Sequence, residues 1–266
     1  MPDRVSTTSP TRRALCALAL LGTALTVTAR PVALAAQETG PDSAFLAQSR
    51  WRSVGPANIM GRVTDIEGIP GTPVFYVAAA AGGIWKTTNA GTTFRPLFTN
   101  ERVVSMGDIA VAMADTSIVW AGTGEEDSRN SISPGGGVYK STDGGITWTL
   151  MGLEDTQAIG RIVIHPENPD IVYVAALGHI WGPNEERGLY RTKDGGETWE
   201  RVLNVSEKAG FVDVAMDPND PNILFASSWE RVRGPYFLHS GGPGSALWTS
   251  TDGGDTWSKV EGGGFP

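Results

Sequence analysis

A single cysteine, Cys16, stands in 266 residues, and histidine occurs only three times. Cys16 lies in a leader-like first segment. A chain that sheds that segment has no disulfide, no thiol nucleophile and no thiolate metal site. A basic surplus is lacking too. Lys and Arg number 21 against 29 Asp and Glu, a formal charge of −8. That excludes non-specific attraction to nucleic acid or to an anionic membrane surface. The apolar run at residues 14–28 falls short of the roughly 20 residues that span a bilayer. There is no Walker or Rossmann glycine pattern, no EF-hand and no zinc spacing around His165, His179 or His239.

What is abundant is glycine. The chain holds 34, nearly twice the usual share of about 7%. Nine tryptophans argue against disorder, so the glycines read as tight turns. Arg12 and Arg13 precede the apolar run, and Ala33-Leu34-Ala35 supplies a small-x-small cleavage site. Residues 1–36 are therefore expected to be a secretory signal, with Thr11-Arg12-Arg13 also fitting a loose twin-arginine pattern. Loss of this segment removes four arginines and one aspartate and leaves the remainder more acidic still. The mature chain is expected to be periplasmic or extracellular, with no transmembrane span. Residues 37–50 read as a polar lead-in.

Four segments then repeat. They are WKTTNAGTTF from Trp85, YKSTDGGITW from Tyr139, YRTKDGGETW from Tyr190 and WTSTDGGDTW from Trp248. Asn89, Asp143, Asp194 and Asp252 hold one position, at spacings of 54, 51 and 58 residues. Gly91, Gly145, Gly196 and Gly254 follow two residues later, and Trp148, Trp199 and Trp257 close three of the motifs. The side-chain oxygen of Asp or Asn accepts hydrogen bonds from the N–H groups of a turn, and glycine permits a left-handed backbone there. Each motif thus closes a hairpin. The amide at Asn89 supports a structural role over an acid–base one. Two more strand-like runs precede each motif, at 62–66 and 74–79, 108–113 and 118–121, 160–165 and 171–176, and 212–216 and 223–227. Every repeat is four short strands, A to D. Four-stranded units at a period near 50 are blades of an all-β propeller.

The expected blades are residues 56–99, 100–153, 154–206 and 207–262 of a propeller spanning 51–266. Trp51-Arg52-Ser53-Val54 has the shape of a D strand without A to C before it. It is expected to close a last blade that is missing here, so that the four blades form an incomplete ring within a longer protein.

The Ser/Thr-x-Asp-x-Gly-x-Thr-Trp boxes resemble the Asp-box (BNR) repeats of sialidases, sortilin-type receptors and xyloglucan-degrading glycoside hydrolases. The strings SVGPANIMGRVTDI, GVYKSTDGG, GRIVIHPENPDIVYVAA and GLYRTKDGGETW are similar to exported bacterial proteins with a sortilin-like N-terminal propeller, often labelled glycosyl hydrolase. The resemblance implies a propeller over residues 51–266 but no single activity. In xyloglucanase-like enzymes a catalytic Asp falls where this chain has Ala80, and the Arg-Ile-Pro signature of sialidases is missing.

In propellers the D–A and B–C loops share one face, opposite the Asp boxes. Aligned B strands place Gly82, Glu125, His179 and Glu230 at one level of that rim. The candidate binding residues are Glu125, Glu126, Asp127 and Arg129, then His179 and Trp181, then Glu230, Arg231 and Arg233. Acids, arginines and aromatic faces on one rim suit a peptide or a glycan. Glu125 and Glu230 are the candidate catalytic carboxylates. No cofactor and no metal site is expected; the acidic loop at 125–127 is the one place where a calcium ion would fit. Arg62, Asp108, Arg161 and Asp213 align at the start of the A strands, alternating in sign as a channel lining or as ion pairs between blades. The leading expectation is an exported recognition module for a peptide, protein or glycan. A glycoside hydrolase completed by further blades is the rival, and an assembly scaffold the third reading.

Overall fold

The computed structural model describes residues 61–127 and 132–262, all within the compact unit Ser53–Pro266. The expected leader, the lead-in, the strand at 51–54 and Arg129 lie outside the described residues. Four antiparallel sheets follow one another along the chain. Blade 1 is β1 (Val63–Gly68), β2 (Phe75–Ala79), β3 (Gly83–Thr87) and β4 (Arg95–Pro96). Blade 2 is β5 (Met106–Val111), β6 (Val119–Thr123), β7 (Val138–Ser141) and β8 (Thr149–Leu150). Blade 3 is β9 (Ile159–Ile164), β10 (Val172–Ala176), β11 (Gly188–Thr192) and β12 (Glu200–Leu203). Blade 4 has β13 (Ala209–Met216), β14 (Leu224–Arg233), β15 (Leu238–Ser240), β16 (Ala246–Ser250) and β17 (Ser258–Lys259). The innermost strands pack in order, β1 on β5, β5 on β9 and β9 on β13. Among the described residues the sheets do not close into a ring.

The core lies between blades. Strands such as β2, β6 and β10 are covered on both faces, so they read as near-continuous apolar runs. Tyr76 and Ala78 of blade 1 meet Ile109, Val111 and Tyr139 of blade 2. Trp120 of blade 2 packs with Ile159, Ile162 and Val174 of blade 3. Tyr173 and Leu189 of blade 3 pack with Phe211, Val214 and Leu224 of blade 4. Burying one such large side chain stabilises by about 1.5–3 kcal/mol.

Each box is a closed hydrogen-bond set. Asp143 Oδ1 accepts from the N–H groups of Ile146 and Thr147, both at 2.9 Å, and from the Ser141 hydroxyl at 2.8 Å. Oδ2 accepts from the Thr147 hydroxyl at 2.7 Å. Gly145, at φ +90°, donates its N–H to Ser141 Oγ. Asn89 keeps the pattern with an amide, accepting from Thr93 N and donating to Thr93 Oγ1. The Thr147 hydroxyl, the Thr147 N–H and Ser141 together hold the Asp143 carboxyl at about 2.

A second set of bonds ties the boxes of blades 2, 3 and 4 to the blade before. Tyr76 Oη and Lys86 Nζ donate to the Gly144 carbonyl at 3.1 and 3.0 Å. Lys140 Nζ donates to Gly195 O at 3.0 Å, its ammonium lying 5.2 Å from the Trp120 ring centre. Tyr173 Oη and Arg191 Nη1 donate to Gly253 O at 2.6 and 2.5 Å. Trp148 and Trp199 complete the contact, edge-on to Phe98 and to Trp120. Blade 4 carries Phe225 and Thr249 at the matching register, and Phe225 is 44% exposed.

Two sequence alignments need correction. Every A strand carries a register shift near its start. Beyond it the residues facing strand B are Asp65 opposite Ala78, Asp108 opposite Gly122, Arg161 opposite Ala175 and Asp213 opposite Ser227. The inner ring is therefore Asp65, Asp108, Arg161 and Asp213; Arg62 lies three residues too early. The shift places Gly107 against the next blade, where a Cβ would lie 1.8 Å from Ile159 O. Likewise, the run 229–233, expected as a loop, is strand. Its alternation continues β14 to ten residues, paired beyond the blade with β15.

Replacing Asp143 with Ala should lower the melting temperature, and Asp143→Asn should lower it less, because Asn89 shows that an amide serves. Its depressed pKa means that the box contributes above the ordinary value of 3.8 and is lost only as pH falls toward 2. Lys140→Met should cost about 1 kcal/mol in urea unfolding through the lost bond to Gly195 O.

Candidate functional site

The two ends of the blades differ. At one end the A–B turns meet the boxes, with the Gly144, Gly195 and Gly253 N–H groups donating to Ser117, Asp170 and Asn222 carbonyls. At the other, B–C loops meet D–A loops. Gly124 N donates to Ser105 O, Asn184 N to Glu207 O and Arg231 N to Lys208 O. All described candidate binding residues belong to this second end.

Counted from the register-matched aromatics Tyr76, Trp120, Tyr173 and Phe225, equivalent rim positions are Gly82, Glu126, His179 and Arg231. Glu125 and Glu230 lie one residue earlier, so they do not share the level of Gly82 and His179. The difference decides their surroundings. Glu125 is buried and ion-paired with Arg62, whose Nε also meets Asp127 at 3.1 Å. Glu230 accepts the Gly244 N–H at 3.0 Å and faces His239 Nε2 at 3.5 Å. Both carboxylates hold loops.

Glu126 is different. Burial pushes its carboxyl up to about 7, its own backbone N–H opposes, Asp127 adds to the rise, and Arg161 and Arg231 resist it. Its main-chain carbonyl accepts from Arg231 Nη1, which joins blade 2 to blade 4 across the mouth. Arg231 is fully buried, stacked 4.9 Å above the Trp229 ring, and burial lowers its pKa to about 10. Deeper, Arg161 answers three acids. It lies 3.1 Å from Asp108, 3.2 Å from Asp213 and 3.8 Å from Asp65. Asp108 also accepts the Ile162 N–H at 2.7 Å, and desolvation raises its pKa well above the ordinary value. Desolvation likewise raises Asp65 and Glu67. A cavity of about 240 Å³ runs beside Glu67, Asp108 and Arg161.

The outer rim of blades 3 and 4 is open. Trp181 is 51% exposed. Its loop, residues 178–187, is fixed from inside by Arg187, which sequence reading did not single out. Fully buried, Arg187 donates to Lys208 O, His179 O and Gly182 O at 3.1, 3.2 and 3.4 Å. Asn184 Nδ2 shares the His179 and Gly182 carbonyls, and His179 Nδ1 meets Trp181 O at 2.9 Å. No spacing marks Arg187 in the sequence, since its partners are carbonyls. Beside the loop, β14 bridges to Trp181 through Arg233, and the β14–β15 turn presents Tyr236, Phe237 and Leu238 to solvent. A cleft of about 590 Å³ lies below, between Pro183, Lys208 and Pro243. Among the described residues no group of three or more His, Cys, Asp or Glu is placed to hold a metal. No helix there is long and apolar enough to cross a membrane.

Because the native Glu126 binds its proton more tightly than an unfolded chain, stability should fall as pH rises from its ordinary 4.5 to about 7. Melting temperature measured from about pH 5 to about pH 8 should decline. Glu126→Gln should flatten the upper part of that slope, leaving the contribution of Asp65, Glu67 and Asp108.

A family model described as Sortilin-Vps10, sortilin, neurotensin receptor 3, matches residues 136–263. The xyloglucanase Xgh74A of Acetivibrio thermocellus is 32% identical over 142 residues, covering 47% of this chain and 15% of that protein. A Paenibacillus xyloglucanase is 22% identical over 238 residues, covering 77% and 21%. The photosystem II assembly lipoprotein Ycf48 of Picosynechococcus is 27% identical over 151 residues, covering 47% and 43%. The chain thus spans less than half the length of each of these relatives. Among solved structures, an ancestral GH74 enzyme superposes with a TM-score of 0.60 at 20% identity, over 81% of this chain and 26% of that one. The GH74 xyloglucanase of Xanthomonas campestris gives 0.54 at 19%, over 79% and 31%. At those identities the likeness shows the fold alone. Repeats, sheets and matches agree on four β-propeller blades with Asp-box turns, similar to sortilin-type and xyloglucanase propellers.

Proposed function

We propose that the segment is an exported recognition module that binds a peptide or a glycan on the outer rim of blades 3 and 4. One contrast carries the reading. The two candidate catalytic carboxylates, Glu125 and Glu230, are engaged by Arg62, the Gly244 N–H and His239, whereas Trp181, Tyr236 and Phe237 stand exposed beside one another's loops. Aromatic faces supply contact area at low entropic cost, and nearby charges orient the ligand. Ala80, at the position where xyloglucanase-like enzymes carry an Asp, is 2% exposed and cannot transfer a proton.

A hydrolase is the alternative, favoured by the xyloglucanases among the relatives. In that reading Glu126 is the general acid, since a carboxyl near 7 keeps its proton at mildly acidic pH, where an ordinary carboxyl has lost it. Its partner carboxylate would come from outside this segment.

Binding to immobilised peptide and glycan arrays, set beside reducing-sugar release from xyloglucan, separates the two. Recognition predicts binding without turnover, weakened about tenfold or more by Trp181→Ala with Tyr236→Ala. Sugar release that disappears in Glu126→Gln would establish the hydrolase instead.

A further inference from the structure

β15 does not belong to the blade it interrupts. It pairs with the upper end of β14, matching Arg231 with Ser240, Val232 with His239 and Arg233 with Leu238. Gly234 N donates to Phe237 O and Gly241 N to Glu230 O, both at 2.9 Å. These bonds fix the alternation. In an antiparallel pair every second residue turns its N–H and C=O away from its partner. Here those residues are Leu238 and Ser240. Their main-chain groups face outward, and all three residues of β15 are exposed. β15 carries neither lysine nor proline, the usual guards of an open edge. On the opposite side β14 is covered, since Arg233 N donates to Ile180 O and Trp181 bridges to Arg233. Among the described residues a single edge of this small ribbon is therefore open.

The ribbon also differs in charge from the rest of the chain. The protein carries −8 overall, yet β14 and β15 bring Arg231 and Arg233 against the single Glu230 above the blade. Arg231 is spent on Glu126 O and the Trp229 ring. Arg233 is half-buried and makes no ion pair among the described residues; its Nε is buried and has no hydrogen-bond partner there. Cross-strand pairing puts Arg233 on the same face as Leu238 and Ser240.

We infer that the outer edge of β15 takes an extended acidic peptide as an added strand, with a carboxylate side chain of the peptide answering Arg233. The inference rests on the recognition reading and selects peptide over glycan. Main-chain bonding to Leu238 and Ser240 gives affinity, and alternate side chains beside Leu238 and Phe237 give specificity.

The test uses the full-length protein and a fluorescein-labelled nonapeptide of alternating Glu and Val, read by anisotropy. A Lys/Val counterpart should bind about tenfold more weakly or worse. N-methylation of one alternating set of amides should abolish binding, and of the other set should not. Ser240→Pro removes an outward N–H while leaving the β14 ladder whole, and Ser240→Ala shares its loss of the Trp229 Nε1 bond to Ser240 Oγ, so against Ser240→Ala the proline should cost about tenfold or more in affinity at a matched melting temperature. Ser240→Ala should bind normally, and Arg233→Gln should erase the preference for the acidic peptide. Wild-type affinity in Ser240→Pro, or indifference to both methylation patterns, overturns the added strand. Xyloglucan oligosaccharide binding without peptide binding overturns it while recognition stands. An inert rim removes both.

Discussion

Three of the four blades are tied to the blade before them through one carbonyl, at the apex of the Asp box. The box aspartate gathers the N–H groups of its own turn and points the carbonyl of Gly144, Gly195 or Gly253 at the preceding blade. There a strand-C cation receives it, joined in two of the three cases by a strand-B phenol. The same contact is made three times along the chain with different residues. Lysine serves twice and arginine once, and Trp120 replaces the tyrosine by offering a π face to the cation. The geometry of the acceptor is retained while the donors vary, so the carbonyl is the constraint and the donors are solutions to it.

Fixing the blades at that end leaves the other end free to differ. The inner ring shows how far the difference goes. One guanidinium serves Asp65, Asp108 and Asp213, and burial still raises the pKa of Asp65 and Asp108, as it does that of the neighbouring Glu67. Above them the mouth is crossed by Arg231 reaching Glu126 and by Arg62 reaching Glu125 and Asp127. The polar centre is thus crossed by ion pairs and main-chain bonds, while the buried Oε2 of Glu126 has no hydrogen-bond partner among the described residues. Chemistry that is open to a ligand has moved outward, to Trp181 and the β14–β15 ribbon.

The repeat carried the fold in plain sight, because box geometry needs particular residues at particular offsets and tolerates only near substitutes such as Asn89. The rim was harder. Arg62 and Asp108 look equivalent when charges are counted along the chain, but a register shift in each A strand moves the true match to Asp65. A bulge adds one residue on one strand and leaves no compositional mark. Glu125 and Glu230 were visible as acids, yet their partners, Arg62, Gly244 and His239, are distant in sequence or are backbone. Trp229-Glu230-Arg231-Val232-Arg233 has strand alternation, but its charges read as loop until β15 supplies the other half of the ladder. Arg187 left no trace at all.

Arg187 and Asn184 also determine what could change. They hold residues 178–187 by the carbonyls of the loop and not by its outward side chains. Trp181, Pro183 and Glu185 therefore sit on a frame indifferent to their identity. New residues at those places would inherit a rigid display without having to rebuild it. This loop is thus suited to diversification, by natural drift or by a combinatorial library, in the way that hypervariable loops on a sandwich scaffold acquire new partners while the scaffold stays the same.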